Sequence, residues 1–264
     1  MDRERNAAYW EANAATWTEL SRAGYDVYRD HNNTPGFLAM LPPVDGLSGL
    51  DIGCGEGENT RAVARLGASM HAIDVAPTFI AHARESEQNE PLGITYAVAD
   101  AQALPFPNNR FDFATAFMSL MDVPDTRAAL AEAYRILRDG GFLQFSILHP
   151  CFSPPHRRVV RDVAGTALAV EVARYFDRAD GEVQHWTFSA APESVQSRVA
   201  PFATPIFHRT LSEWLNGLIE TGFTVERIGE PSVDEATALR VPAVADTRIT
   251  PLFLHVRGRK GASR

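Results

Sequence analysis

Cysteine is scarce: 264 residues hold two, Cys54 and Cys151. Two cannot build a disulfide framework, and their separation suits no zinc site. Both read as reduced thiols, as in a cytoplasm. Long apolar runs are missing as well. The longest uncharged one covers 113–121, far short of the ~20 residues that span a bilayer, so no membrane partner is expected. Residues 1–5 are charged and lead into a polar helix, which is not the pattern of a signal peptide. Positive charge is in deficit, with 25 Lys and Arg against 33 Asp and Glu, a net charge of −8. An acidic chain repels a phosphate backbone, which argues against a nucleic-acid partner. Arg157, Arg158 and Arg161 form the one basic cluster and read as a solvated face. Internal repeats and low-complexity stretches are absent.

What is present is an ordinary globular mixture, 45% apolar and 22% charged. Tyr9, Trp10, Asn13, Trp17 and Leu20 recur at spacings of three and four, predicting a helix over 6–24. A turn-rich stretch follows over 32–43. Strands and helices then alternate. Strands are expected at 50–54, 70–75, 94–99, 111–118 and 142–148, and helices at 58–66, 77–88 and 124–137, with a turn at Asp139-Gly140-Gly141. Strands separated by helices of this length imply right-handed crossovers and a parallel sheet. The alternation breaks over 151–207, where one hairpin is predicted, 173–176 against 183–188 with its turn at Asp180-Gly181. It resumes with a helix from Thr210, whose Glu213 completes a capping box, and strands at 223–228 and 252–256. Residues 257–264 read as a polar tail. Four segments result: a helical cap (1–44), a cofactor-binding core (45–150), an insertion (151–207) and the remainder of the sheet (208–264).

The chemistry concentrates where the first strand ends, in Leu50-Asp51-Ile52-Gly53-Cys54-Gly55-Glu56-Gly57. Alternating glycines between strand and helix permit positive φ and a close approach of backbone to ligand. Ligands of open α/β sheets bind beyond the carboxyl ends of the strands. A dinucleotide turn, G-x-G-x-x-G, would need glycine at position 58, which is Glu58. Glu56 and Glu58 would also repel a phosphate. A cofactor carrying cations rather than phosphate suits this loop better. Asp74, at the end of the second strand, can accept both hydroxyls of a ribose. Asp100, followed by the N–H of Ala101 at the end of the third, suits an adenine amine and ring nitrogen.

These residues resemble the class I S-adenosylmethionine-dependent methyltransferases, particularly the small-molecule branch with the ubiquinone- and menaquinone-biosynthesis enzymes. The resemblance also rests on Leu104-Pro105-Phe106, Phe111-Asp112-Phe113, Tyr134-Arg135-Ile136-Leu137 and Asp139-Gly140-Gly141, in order, across about 45–150. It implies an α/β, doubly wound, Rossmann-like seven-stranded sheet, mostly parallel with an antiparallel last strand. An N-terminal helix and an inserted lid after the fifth strand complete that fold. The implied cofactor is S-adenosylmethionine. Asp51, Gly53, Gly55 and Gly57 would form the turn that packs on its methionine part. Asp74 and Val75 would hold the ribose, Asp100 and Ala101 the adenine, and Phe117 and Met118 the far side. Tyr25 and Arg29 would cover it or hold its carboxylate.

The expected function is methyl transfer to an O, N or C atom of a small acceptor. His31, His149 and His208 are candidates for taking a proton from that acceptor; no histidine pair has metal-ligand spacing, and no metal is expected. Insertion 151–207 and the N-terminal helix are expected to form the acceptor pocket, with an oligomerisation arm, and hence a homodimer, as the alternative. A nucleic-acid methyltransferase is disfavoured by charge and by Ser119-Leu120-Met121-Asp122 in place of an Asn/Asp-Pro-Pro-aromatic motif. An NAD-dependent oxidoreductase is disfavoured by Glu58 and Asp100-Ala101. A cofactor-binding protein without catalysis stays open, since no motif fixes a catalytic residue.

Overall fold

A computed structural model of the chain describes residues 1–261. In chain order, helix α1 (Arg3–Arg22) and a π turn (Arg29–Asn33) running into α2 (Thr34–Met40) precede the sheet. There follow β1 (Ser48–Ile52), α3 (Glu58–Ala64), β2 (Ser69–Asp74), α4 (Pro77–Asn89), β3 (Thr95–Val98), β4 (Phe111–Phe117), α5 (Thr126–Ile136) and β5 (Leu137–Leu148). The insertion carries β6 (His156–Arg161), β7 (Ala167–Ala173), β8 (Asp180–Trp186), a short α6 (Glu193–Gln196) and β9 (Phe202–Phe207). The chain closes with α7 (Leu211–Thr221), β10 (Phe223–Gly229), α8 (Glu235–Arg240) and β11 (Phe253–Lys260).

Seven strands make one sheet in the order β10-β11-β5-β4-β1-β2-β3. β11 alone runs antiparallel to its neighbours, β5 and β10. The chain enters mid-sheet at β1, proceeds outward to β3, then returns to β4 beside β1. The two directions of winding separate between β1 and β4, where the crevice of such a sheet opens. Side-chain alternation covers both faces. Leu50, Ile52 and Ile73 pack with α5 and α7 through Leu130, Ala133, Trp214 and Leu218. Met70 and Ala72 pack the other way, with Phe37, Val63 and Ile80 of α2, α3 and α4. Among the described residues no helix is long and apolar enough to cross a membrane.

Four expectations change. The 32–43 stretch is largely helical, because Pro35 falls in the first turn of α2, where a missing N–H costs nothing. The Asp139-Gly140-Gly141 turn lies inside β5: Phe111 pairs with Leu137 and Phe113 with Phe142, so residues 138–141 leave the register and return. The hairpin of 173–176 with 183–188 does not exist. β7 pairs with β6 and β8 with β9, and the Asp180-Gly181 signal marks a bulge in β8 rather than a turn. Finally, the expected polar tail is strand as far as Lys260. Its charges read as solvated but are paired, Arg257 with Glu226 at 2.8 Å and the Lys260 ammonium with the carbonyls of Tyr134 and Leu137. Residues 262–264 lie outside the described part.

Candidate active site

A cavity of about 690 Å3 opens at the carboxyl ends of β1, β2, β3 and β4, roofed by α1 and the insertion. Its floor follows from the glycine turn. Gly53, Gly55 and Gly57 have φ of +72°, +56° and +91°, which side chains with a Cβ seldom adopt. They have different neighbours. A Cβ on Gly53 would lie 2.4 Å from that of Ser119, and one on Gly57 2.7 Å from the Tyr96 hydroxyl; one on Gly55 would meet nothing within 4 Å. Gly53 and Gly55 line the cavity, whereas Gly57 packs against β3 and starts α3.

Carboxylates surround this turn. Asp74 accepts the N–H of Gly55 and of Ala76, each at 2.9 Å. Burial pushes its carboxyl up to about 6, against the opposing pull of those backbone N–H groups. Asp51 accepts from the hydroxyls of Thr60 and Thr115 and is likewise pushed by burial to about 6. Burial raises Glu56 too, while Arg29 at 3.2 Å draws it down. The same guanidinium donates to Ser21 and Asp30 and so fastens α1 to the following turn. Asp26 beside it is pushed by burial to about 6. Asp100, at the end of β3, accepts from both the backbone and the side-chain N–H of Gln102, with Arg3 at 3.6 Å.

The remaining expected residues divide. Tyr25, Val75, Ala101, Phe117 and Met118 line the cavity. Phe117 is mostly covered by the Phe37 ring, 3.9 Å away between centroids. Met118 has φ +53° and donates its N–H to Ser146; such strained backbone collects at functional sites. Of the three histidines, only His208 lines the cavity. Its Nε2 meets the Tyr175 carbonyl at 2.8 Å. A carbonyl only accepts, so Nε2 carries the proton and Nδ1 keeps its lone pair. His149 is buried away from the lining; its Nδ1 accepts the Cys151 N–H and its Nε2 meets Glu230 at 2.8 Å. His31 sits in the π turn, also outside the lining.

The roof is aromatic. Trp17 of α1 meets Trp186, Phe188 and Phe202 with centroids 4.8–5.3 Å apart. Asn13, one turn earlier, exchanges two hydrogen bonds with the backbone of Ala203 and so continues β9 as a strand neighbour would. Further polar groups belong to the lining. Arg157 pairs with the fully buried Asp246 at 2.7 Å, so it is not solvated as its cluster suggested. Arg209 donates to the carbonyls of Phe207, Val123 and Pro124. Asp122 lies in the 3-10 turn after β4, and burial raises its carboxyl well above the ordinary range, with Arg209 opposing. Its only visible cue was its place just past the fourth strand.

With that geometry in place, the comparisons are specific. Residues 50–145 match a family model described as a methyltransferase domain. A malonyl-[acyl-carrier protein] O-methyltransferase from Pectobacterium atrosepticum is 31% identical over 126 residues, 47% of this chain and 48% of that protein. A ubiquinone biosynthesis O-methyltransferase from Xanthomonas campestris is 33% identical over 143 residues, 54% and 55% of the two. The chain thus spans about half the length of these relatives. A solved S-adenosylmethionine-dependent methyltransferase from Mesorhizobium loti covers far more: TM-score 0.67, 29% identity, 86% of this chain and 96% of that one.

Proposed function

We propose that this chain, which is built on a class I S-adenosylmethionine-dependent methyltransferase domain, moves the methyl group of that cofactor to a small-molecule acceptor. The observation that carries this reading is the acidic floor. Asp74 is held by two backbone N–H groups at the tip of β2, and Asp51, Glu56 and Asp100 stand around the same cavity. The set fits a cofactor with an ammonium, a sulfonium, a ribose and an adenine. About 690 Å3 also lies within the ~300–1,000 Å3 usual for small-molecule sites.

When bound, the cofactor supplies a methyl carbon made electrophilic by its sulfonium. Asp74 would hold the ribose hydroxyls with the carboxylate lone pairs that its two N–H donors leave free. Asp100 and the Ala101 N–H would hold the adenine. The Gly53–Gly55 backbone would lie along the methionine part, with Arg29 for its carboxylate and Tyr25 over it. Phe117 and Met118 would close the far side. Trp10, Trp17, Trp186 and Phe207 of α1 and the insertion form an apolar acceptor compartment, and His208 offers Nδ1 for orienting a polar group. Such a roof excludes water and fixes the reactants near ~3–3.5 Å, where position replaces an encounter in solution. Two free thiols agree with a reducing, cytoplasmic compartment.

Calorimetric titration tests this directly. S-adenosylmethionine and S-adenosylhomocysteine should bind and NADH should not. Formation of S-adenosylhomocysteine over a panel of phenols, amines and carboxylates should then identify acceptors. An absence of binding at millimolar S-adenosylmethionine would refute the reading.

A further inference from the structure

We propose that Asp122 accepts the proton that the acceptor loses, which makes the acceptor a neutral O–H or N–H compound; the proposal rests on the methyltransferase reading. Asp122 closes the 3-10 turn Leu120–Asp122 directly after β4, and it lines the cavity together with Met118 and Ser119. Among the described residues no hydrogen bond or ion pair reaches its carboxylate. Its backbone, by contrast, is fixed: the N–H goes to Ser119 and the carbonyl accepts from Asn6 at 3.0 Å. The other amide atom of Asn6, Oδ1, is buried without a partner. A carboxylate with free lone pairs on a fixed stretch of backbone, next to an amide with an unmatched oxygen, is a place prepared for a donor that arrives with a ligand. An acceptor bearing O–H or N–H is such a donor.

The surroundings favour the transfer. Arg209 clamps the carbonyls of Val123 and Pro124, just beyond Asp122, and lies over the Phe207 and Trp214 rings. It therefore adds positive charge near the carboxylate without neutralising it in a direct pair. Arg209 is shared with Asp180, Glu213 and Asp125; Arg3 faces Asp100, Asp125 caps α5 and Glu213 caps α7. In the transfer, the acceptor's O or N forms a bond to the methyl carbon. The carbon–sulfur bond breaks and its electron pair stays on sulfur. The acceptor's proton passes to an Asp122 oxygen. One anion and one cation become two neutral groups, a change that a water-poor cavity assists because opposite charges there lack hydration. His208 is the competing base through its Nδ1; it stands just past β9, at the end of the insertion, rather than on the turn after β4.

Binding isolates part of this without any acceptor. In the cofactor-free protein burial pushes the Asp122 carboxyl well above the ordinary carboxylate range, with Arg209 opposing; a sulfonium nearby should draw it down. Calorimetry in two buffers of different ionisation heat, at about pH 7, should show more proton release for S-adenosylmethionine than for the uncharged thioether S-adenosylhomocysteine. Asp122→Asn should clearly reduce that difference, leaving only the share from the floor carboxyls Asp26, Asp51 and Asp74, while S-adenosylhomocysteine affinity is kept. On the acceptor panel, Asp122→Asn should lower kcat by ~10²–10⁴, leave KM for the cofactor nearly unchanged and remove the acid limb of the pH profile. If the asparagine variant melts early, Asp122→Glu should keep the acid limb at reduced kcat. Wild-type kcat and pH profile in Asp122→Asn, the whole loss appearing in His208→Gln instead, or methylation confined to acceptors without an O–H or N–H would each overturn the proposal. Failure of S-adenosylmethionine to bind at all would instead overturn the methyltransferase reading.

Discussion

The two walls of the cavity are held by different physics. On the proposed cofactor side two carboxylates are fastened through backbone, Asp74 by the N–H groups of Gly55 and Ala76 and Asp100 by that of Gln102, while Asp51 is held by the Thr60 and Thr115 hydroxyls. Those backbone groups lie just past the ends of the parallel strands β1, β2 and β3. On the acceptor side the wall is two separate two-stranded sheets, β6–β7 and β8–β9, neither hydrogen-bonded to the seven-stranded one. Two-stranded hairpins are marginal by themselves. β8–β9 is supported by the Trp17, Trp186, Phe188 and Phe202 rings and by Asn13. β6–β7 leaves Leu168 and Val172 exposed. A platform fixed by backbone keeps one ligand in one place. A roof fixed by side chains can change its pocket by substitution without disturbing that platform.

Matched truncations give the sharpest contrast. Phe145 of β5 and Phe202 of β9 are both almost fully buried, but they belong to different clusters. Phe145→Ala should cost about 3–5 kcal/mol of global stability in denaturant unfolding. Phe202→Ala should instead free the amides of 180–207 in hydrogen exchange, with a global loss near 1 kcal/mol or less, because the roof opens before the sheet does. Equal global losses would show that the two walls unfold as one unit, and the distinction would fail.

Next in size is the anchoring of the cofactor. Asp74→Ala should weaken S-adenosylmethionine by about 1–3 kcal/mol, the range for hydrogen bonds to a charged group. Trp186→Ala, in the roof, should leave cofactor affinity within about tenfold and change acceptor preference. Calorimetry and competition between two acceptors separate these effects. An Asp74→Ala protein with wild-type affinity would remove that carboxylate from the site.

The same contrast explains what the sequence revealed. The platform's geometry was legible because it depends on a local pattern at strand tips: glycines with positive φ after β1, and carboxylates at the ends of β2 and β3. The roof was not. Its hairpins pair residues that local cues do not join, so Asp180-Gly181 suggested a turn where β8 has a bulge. Asn13 belonged to a predicted helical stripe, yet its role as a surrogate strand neighbour depends on Ala203, far along the chain. Arg157 and Lys260 looked solvated because their partners, Asp246 and the carbonyls of Tyr134 and Leu137, come from distant segments. Asp122 carries no motif at all; only burial beside Arg209 distinguishes it. His149 was attractive because it ends β5, but Glu230 and the Cys151 N–H occupy both ring nitrogens.

Acidity should also divide the walls. Burial raises Asp26, Asp51 and Asp74 to about 6, above their ordinary value. Raised carboxyls stabilise the cofactor-free fold most at low pH, and that contribution is lost as pH climbs through about 6. A bound cation favours the ionised forms, so cofactor binding should release protons and tighten between about pH 4 and 7, by on the order of 1 kcal/mol. The thermal shift produced by S-adenosylmethionine should therefore grow over this window. A shift independent of pH would mean that these carboxyls do not sense the cofactor.

The smallest expected effect tests whether Asp100 works by charge or by shape. Its Oδ1 accepts both the backbone and the side-chain N–H of Gln102, which fixes the carboxylate at the end of β3. Arg3 stands 3.6 Å from Oδ2, half exposed, so solvent screens most of that attraction. Adenine offers a neutral amine, and a neutral donor needs an acceptor oxygen rather than a full charge. Asp100→Asn keeps one such oxygen. If that oxygen serves Gln102, the adenine amine loses its partner; if it serves adenine, Gln102 loses one. Either way a single hydrogen bond is sacrificed, and affinity should fall by less than about 1 kcal/mol. Asp100→Ala loses both and also releases the turn at Gln102, whose side chain accepts the N–H of Asp125, so its loss should be clearly larger. Calorimetry on the two variants, with S-adenosylhomocysteine as the neutral-sulfur control, distinguishes the cases. Equal losses would show that the charge itself holds the cofactor and that the backbone-fixed geometry of this wall is secondary.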